Sequence, residues 1–143
     1  MQADDLAFFE VLASVMNADP ARFRPLGEAY MSAGVVMRGA RGDFRARLDF
    51  DGLRCEVSPW DGASPCDYWL EGPTAVWEQM FANITGNGRA VGLETVNSLV
   101  MLGDDIRLQG RDPMGLDKFS RFNQTLQEFL DGAARLPERV PAS

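Results

Sequence analysis

Residues 43–57 read DFRARLDFDGLRCEV, and this stretch decides the fold that the sequence predicts. Up to Phe50, charged and apolar residues alternate one by one, as they do along a half-buried β-strand. Asp51-Gly52 follows directly, and this dipeptide favours the positive φ angles of a type I′ turn. The stretch therefore predicts a β-hairpin with one apolar face and one charged face.

The predicted turn also sets which residues face each other across the hairpin. The apolar pairs are Phe50 with Leu53, Leu48 with Cys55, and Ala46 with Val57. The pairs on the solvent face carry opposite charges, Asp49 with Arg54 and Arg47 with Glu56. Opposite charges across neighbouring strands are stabilising. A slip of one residue would turn every apolar side chain to the solvent, so we expect the pattern to specify the register strongly.

Further strands and helices are predicted on both sides of the hairpin. Three more strands are expected at 34–38, 66–71 and 106–110, the first of which extends the hairpin into a three-strand meander. Apolar residues recur every three or four positions in five helices, over 3–16, 20–30, 73–84, 93–100 and 116–130. Gly132 ends the last helix. We expect one domain over residues 1–132, with its N-terminal helix within 1–18, and a flexible tail over 133–143.

These periodicities assign particular side chains to the apolar interior. Tyr30 falls on the apolar face of the second helix, and Leu93 falls on that of the fourth. Cys66 and Tyr68 fall on the inward face of the fourth strand, opposite Trp69. Pro73 is expected at the first position of the third helix, where a missing N–H is tolerated.

The charge of the chain argues against one class of partner. The net charge is −7 and the pI is near 4.5, whereas binding to nucleic acid needs clustered cations. Thirteen of the fourteen basic residues are arginine, which indicates genomic GC bias and a bacterial source. The acidic start MQADDLAFFE differs from a signal peptide, and no apolar stretch is long enough to span a membrane. We expect a cytoplasmic protein without nucleic-acid partners or stable membrane insertion.

The sequence contains no histidine, and this limits its chemistry. Histidine is the usual general base of hydrolytic triads and the commonest transition-metal ligand. Cys55 and Cys66 do not form a metal-binding or CxxC spacing, and Cys55 falls on the inward face of the hairpin. We therefore predict no catalytic residue, no metal site and no cofactor.

The order of elements and two short motifs resemble the sterol carrier protein 2-like (SCP2-like) family. In that family, a fourth strand of the type aspartate-apolar-x-apolar-x-glycine precedes a helix with an apolar anchor. The matching residues here are DYWLEG at 67–72 and PTAVW at 73–77. A later family strand, glycine-x-apolar-x-apolar-x-glycine, is similar to GDDIRLQG at 103–110, which is one residue longer. The resemblance covers residues 20–131 and departs from the family pattern over 86–102.

The resemblance implies an α+β fold, with a single five-stranded, mostly antiparallel sheet and helices packed on one face. It also implies non-enzymatic binding or carriage of a lipid, a fatty acyl group or a sterol-like molecule in a cavity between sheet and helices. The apolar residues expected to line that cavity are Phe44, Leu48, Phe50, Leu53, Trp77, Met80, Phe81, Val96, Val100, Phe119, Phe122 and Leu126. The same side chains would fill a solid core equally well, so a filled core is an open alternative.

Two other functions are compatible with the residues. A small ketosteroid-isomerase-like enzyme would use an aspartate as general base in an apolar pocket, and Asp49, Asp67 and Asp112 are its candidates. A protein-interaction module would instead use Trp69, on the polar face of the fourth strand, to bind a partner enzyme or a second copy of the chain. A helix or a loop that covers Trp69 is an equally good interpretation.

Overall fold

The computed structural model describes residues 2–103 and 105–136. Its strands are β1 (Ala29–Gly39), β2 (Gly42–Gly52), β3 (Arg54–Pro59), β4 (Tyr68–Pro73) and β5 (Arg107–Gln109). Its α-helices are α1 (Leu6–Asn17), α2 (Pro20–Phe23), α3 (Thr74–Asn87), α4 (Val96–Met101) and α5 (Pro113–Asp131). Short 3-10 turns cover Arg24–Leu26, Gly92–Glu94 and Gly132–Arg135.

The five strands form one mixed sheet in the order β3-β2-β1-β4-β5. Strands β1 and β4 run parallel, and the other three neighbouring pairs are antiparallel. Inward-facing side chains of the sheet join those of the helices in one apolar core, for example where Phe50 of β2 meets Phe129 of α5. This arrangement confirms the predicted α+β class and the predicted mostly antiparallel five-stranded sheet.

The hairpin has the predicted faces, but its predicted register is wrong by two residues. Asp51 pairs with Arg54, so the two turn residues are Gly52 and Leu53. A type I′ turn needs positive φ at both turn positions, whereas only Gly52 (φ +73°) has one. The observed pairs are Phe50 with Cys55, Leu48 with Val57, and Ala46 with Pro59. Because the shift is an even number of residues, every side chain keeps its face.

The register shift changes the charge pairs of the solvent face. Asp49 lies opposite Glu56 rather than Arg54, and Arg47 lies opposite Ser58. Arg47 instead donates from Nε to Asp49, two residues along the same strand, at 3.0 Å. Like charges across strands are unfavourable, and this local ion pair offsets part of that repulsion.

Strand β1 begins earlier than the sequence predicts. The second helix ends at Phe23, because Pro25 lies in the 3-10 turn that follows and Gly27 (φ +86°) leaves the helical region. Tyr30 therefore lies in β1 and is 53% exposed, so its predicted place on a buried helix face is wrong. Leu93 is also exposed, at 69%, because it lies in a 3-10 turn ahead of α4.

The connection between β3 and β4 passes across the outer face of the sheet. Strand β3 is an edge strand and β4 lies beside β1, so the chain must cross β2 and β1 to reach it. Trp60 packs there against Trp69, with ring centroids 5.7 Å apart, and Trp69 is partly buried. Cys66 belongs to this outer cluster, so its predicted place on the inward face is wrong. A loop of the chain itself therefore covers part of Trp69.

The ends of α3 and α5 also differ from prediction. Pro73 is the residue before α3 rather than its first residue, because it is still the last residue of β4. Gly132 does not end the packed chain, since the 3-10 turn Gly132–Arg135 follows and Ala133 is buried. Residues 133–136 thus pack on the domain, in contrast to the predicted tail over 133–143. Its remaining part, 137–143, lies outside the described residues.

Candidate functional site

The residues predicted to line a ligand cavity all belong to one apolar cluster between sheet and helices. The buried members are Leu48, Phe50, Trp77, Met80, Phe81, Val96, Phe119 and Leu126. The partly buried members are Phe44, Leu53, Val100 and Phe122. The fold therefore brings the twelve residues together from β2, the hairpin turn and α3 to α5.

Many of these side chains pack directly against other parts of the protein. Aromatic pairs join the predicted residues to others in the core, namely Phe9 with Phe44, Phe50 with Phe129, and Tyr68 with Phe119, at centroid distances of 5.8, 5.4 and 5.6 Å. Contacts of this kind are typical of a close-packed interior. Space for a molecule is found where the cluster reaches the surface.

One such space lies between the start of α1, the outer side of α3 and the last 3-10 turn, and we call it the α1–α3 pocket. Its volume is about 350 Å³. The residues that line it are Gln2, Ala3, Phe8, Glu78, Phe81, Ala82, Thr85, Ala133 and Leu136. Phe8 and Phe81 meet edge to face in its wall, with centroids 4.9 Å apart. Most of this lining is apolar, and Gln2, Glu78 and Thr85 supply polar groups.

Among the twelve predicted residues, only Phe81 lines the α1–α3 pocket. Phe8 was not among the predicted residues, because a period of three or four positions along the first helix selects only one of two adjacent phenylalanines. Two adjacent phenylalanines are a sign that the buried face of that helix is wide, and this sign could have identified Phe8. Ala133 and Leu136 were missed because they follow Gly132, and no local pattern in the sequence predicts that the chain stays packed beyond it.

A second depression lies beside the edge strand β5 and has a volume of about 660 Å³. Its lining is Val100, Met101, Gly103, Ile106, Arg107, Leu108 and Gln109. Val100 is the one predicted residue that it includes. Met101 is 67% exposed, so this depression lies on the surface at the end of α4 rather than between the sheet and the helices.

Two aromatic donors in the core lack an oxygen acceptor. Trp77 is fully buried, and its Nε1 has no hydrogen-bond partner among the residues that the structure describes. Tyr68 is fully buried as well, and its hydroxyl donates to the thioether sulfur of Met31 at 3.2 Å. Sulfur is a weak acceptor. A buried donor without a partner costs about 1–3 kcal/mol, so the Trp77 N–H is an unusual feature of this core.

A buried carboxylate holds the connection between α3 and α4 in place. Asp131, at the end of α5, accepts from the Ala90 N–H at 3.1 Å and from Gln127 Nε2 at 2.8 Å. Gln127 Oε1 in turn accepts from the Val96 N–H at 2.7 Å. One pair of side chains on α5 therefore fixes both ends of this connection. Two residues after Asp131, Ala133 lines the α1–α3 pocket.

Burial raises the pKa of the Asp131 carboxyl above its ordinary value. The two hydrogen bonds favour the ionised form and oppose this rise, as do the charges of Arg135 and Arg89. Desolvation is the largest of these effects. The group is therefore ionised less readily than an exposed aspartate.

The carboxylates considered for an enzyme all have structural partners. These partners are Arg47 for Asp49, the Ser32 N–H and Lys118 for Asp67, and the Gly115 N–H for Asp112. Asp112 acts as the N-cap of α5. None of the three lines the α1–α3 pocket, and the arrangement does not favour the ketosteroid-isomerase-like alternative.

Neither a metal-binding cluster nor a membrane-spanning helix is found among the described residues. Across 2–103 and 105–136, no group of three or more cysteine, aspartate or glutamate residues is placed to hold a metal ion. Within the same ranges, no helix is both long enough and apolar enough to cross a membrane.

Comparison with known proteins gives matches in structure alone. No protein-family model matches the sequence, and no curated protein matches it at a significant level. The crystal structure of sterol carrier protein 2 superposes with a TM-score of 0.70, at 16% identity, over 95% of this chain and 100% of its own. The solution structure of a conserved hypothetical protein from Thermus thermophilus, described as a candidate sterol carrier protein, superposes with a TM-score of 0.71, at 17% identity, over 100% of this chain and 95% of its own. Together with the sheet order and the helices on one face, these likenesses show that the chain has an SCP2-like fold.

Proposed function

We propose that this protein binds and carries an apolar small molecule, of the lipid, fatty acyl or sterol-like class, between its sheet and its helices. The likeness in fold to sterol carrier protein 2 supports this class of ligand. No catalytic step is part of the proposal. The apolar cluster supplies the driving force, since each Å² of apolar surface removed from water is worth about 25 cal/mol.

The observation that carries the proposal is the position of Phe81. Its ring lines the α1–α3 pocket and also contacts Phe9 of the core, at a centroid distance of 6.2 Å. Phe9 is fully buried. A molecule that moved the Phe81 ring would therefore pass directly from the pocket into the apolar cluster, so the α1–α3 pocket is the proposed entrance.

The size of the pocket predicts how a ligand is accommodated. Its volume of about 350 Å³ lies near the lower end of the ~300–1,000 Å³ usual for small-molecule sites. A sterol or a long acyl chain needs more room than this. We expect such a ligand to enlarge the site by displacing core side chains, beginning with Phe81.

The proposal is tested by thermal unfolding of the full chain with fatty acids, acyl-CoA esters, fatty alcohols and sterols. A ligand that binds only the folded state raises the unfolding free energy by about 2.7 kcal/mol at ~100 times its Kd. We expect at least one class to raise the melting temperature in proportion to the logarithm of its concentration.

Two variants of α3 locate the entrance. Ala82 is exposed and lines the α1–α3 pocket, so Ala82→Trp should fill the pocket and weaken binding at least tenfold without unfolding the protein. Ala75 is exposed on the same helix and does not line the pocket, so Ala75→Trp is the matched control and should bind as the natural chain does. The carrier function is rejected if no class of ligand stabilises the protein. The entrance is misplaced if the two variants bind equally well.

A further inference from the structure

Within the proposed function, on which this inference rests, the buried Trp77 N–H indicates the chemistry of the ligand. Trp77 lies in α3 with 0% of its surface exposed, and Nε1 has no partner in the described part of the chain. Buried polar groups in native proteins are nearly always paired. A donor that the protein itself leaves unpaired in the centre of a binding core is suited to an acceptor brought by a ligand.

Among the described residues, the buried core as a whole offers few side-chain acceptors. The other buried aromatic donor, the Tyr68 hydroxyl, donates to the sulfur of Met31 and not to oxygen. The buried polar side chains of the described residues are Thr125 and Asp131. Asp131 Oδ1 already accepts from Ala90 and Gln127. An oxygen atom on the ligand would therefore meet donors, whereas an additional donor on the ligand would find few acceptors.

The charge of the core decides which oxygen groups fit. No lysine or arginine of the described residues is buried, so an ionised carboxylate placed here would have no cation beside it. Burying an unpaired charge is far more costly than burying a neutral polar group. The suitable groups are the neutral oxygens of ketones, esters and alcohols.

We propose that the ligand is a neutral, oxygen-bearing apolar molecule that enters with its oxygen first and accepts a hydrogen bond from Trp77 Nε1. This assigns Trp77 as a specificity-determining residue, which discriminates such ligands from hydrocarbons of equal size. It also separates them from fatty acids, whose ionised carboxylate remains at the surface.

Two ligands that differ in one oxygen provide the test, a long-chain methyl ketone and the alkane of equal carbon number. One neutral hydrogen bond is worth about 1.4 kcal/mol, which corresponds to tenfold in affinity. We expect the natural chain to bind the ketone about tenfold more tightly than the alkane. Trp77→Phe, which keeps an aromatic ring and removes the N–H, should lose this preference and bind the ketone no more tightly than the alkane, because the carbonyl would then be buried without a donor.

The indole N–H resonance of Trp77 in a ¹⁵N-labelled sample gives a readout that packing alone does not move. It should shift downfield when the ketone binds and stay in place with the alkane. Trp60 is the internal control, because its Nε1 already donates to the Ser64 carbonyl at 3.0 Å. Trp60→Phe assigns its resonance and should preserve the tenfold preference for the ketone.

The outcomes separate this inference from the proposed function. If both ligands bind with equal affinity and the Trp77 resonance does not move, the inference is wrong and the carrier function stands. If neither binds, the inference is wrong, and the panel of fatty acids, acyl-CoA esters, fatty alcohols and sterols decides whether the carrier function stands. Should Trp77→Phe not fold, the shift of the Trp77 resonance in the natural chain decides alone.

Discussion

Trp60 lies directly over the backbone of Gly34, so closely that a Cβ atom on Gly34 would come within 2.8 Å of Trp60 Cζ3. The same Cβ would lie 2.8 Å from the Cβ of Trp69. Gly34 is in the middle of β1, the central strand of the sheet. The connection between β3 and β4 can therefore cross the outer face of the sheet closely only because this position carries no side chain.

We expect Gly34→Ala to destabilise the protein by about 1–3 kcal/mol, the usual cost of overpacking a filled site. Urea unfolding of the variant and the natural chain measures this difference. Gly86→Ala is the matched control, because Gly86 lies in α3 without a positive φ and its Cβ would meet open space. The unfolding free energy of that control should rise by about 0.5–1 kcal/mol. Equal stabilities of the two variants would show that Trp60 does not pack on the strand.

Asn17 joins the end of α1 to the edge strand β3. Its Nδ2 donates to the Cys55 carbonyl at 3.0 Å, and its Oδ1 accepts from the Cys55 N–H at 2.9 Å. This side chain thus pairs both backbone groups of a residue at the sheet edge. We expect Asn17→Ala to lower the unfolding free energy by about 1–3 kcal/mol, since two hydrogen bonds of about 1 kcal/mol each are lost.

Asn87→Ala is the control for the Asn17 experiment. Asn87 also ends a helix, but its side chain bonds only to the Asn83 carbonyl one turn earlier. Its replacement should change the unfolding free energy by less than half as much. If the Asn17 and Asn87 variants are equally stable, the two hydrogen bonds to β3 stabilise the protein no more than the single local bond within α3 does.

The two cysteines should differ in reactivity because they lie on opposite faces of the sheet. Burial raises the pKa of both thiols, and more strongly for Cys55, which is 3% exposed beneath the helices. Cys66 is 9% exposed in the outer cluster, under a single loop. The variant Cys55→Ala keeps only Cys66, and the variant Cys66→Ala keeps only Cys55. At pH 8, we expect Cys66 in the first variant to react with a disulfide reagent at least tenfold faster than Cys55 in the second. In urea, where the protein is unfolded, both thiols should react rapidly. Similar reaction rates of the two thiols in the folded protein would contradict the prediction and would place both on the same side of the sheet.

The sequence predicted the faces of the sheet far better than the connections between strands. Alternation of Leu48 and Phe50 with charged residues is a local signal, and it survives an error of two residues in the turn. The turn itself was mispredicted because Asp51-Gly52 suits a type I′ turn, whereas the chain places Gly52 first and Leu53 second. A local propensity gave way there to the packing of the whole hairpin.

The candidate site was predictable only in part, for a different reason. Periodicity along α3 identified Phe81, because it belongs to the buried apolar stripe formed with Trp77, Met80 and Ile84. The rest of the α1–α3 pocket depends on segments near the two ends of the described residues, since Ala3 and Leu136 both line it. No pattern within either segment predicts that they lie side by side, so the sequence indicates which side chains are buried but not where the core opens.

Asp131 should make the stability of the protein depend on pH in the direction opposite to that of an ion-paired carboxylate. Because burial raises its pKa in the folded state, the folded protein holds a proton that the unfolded chain has already lost. The contribution of Asp131 to stability is therefore most favourable below its unfolded pKa of about 4 and falls as the pH rises through the raised folded pKa.

Asp131→Asn keeps an acceptor for the Ala90 N–H and does not titrate, so it isolates this effect. Urea unfolding of both proteins between pH 4 and pH 7.5 should show the natural chain losing stability relative to the variant across that window. A difference that is constant with pH would mean that Asp131 titrates as an exposed aspartate, which would contradict its burial at the end of α5.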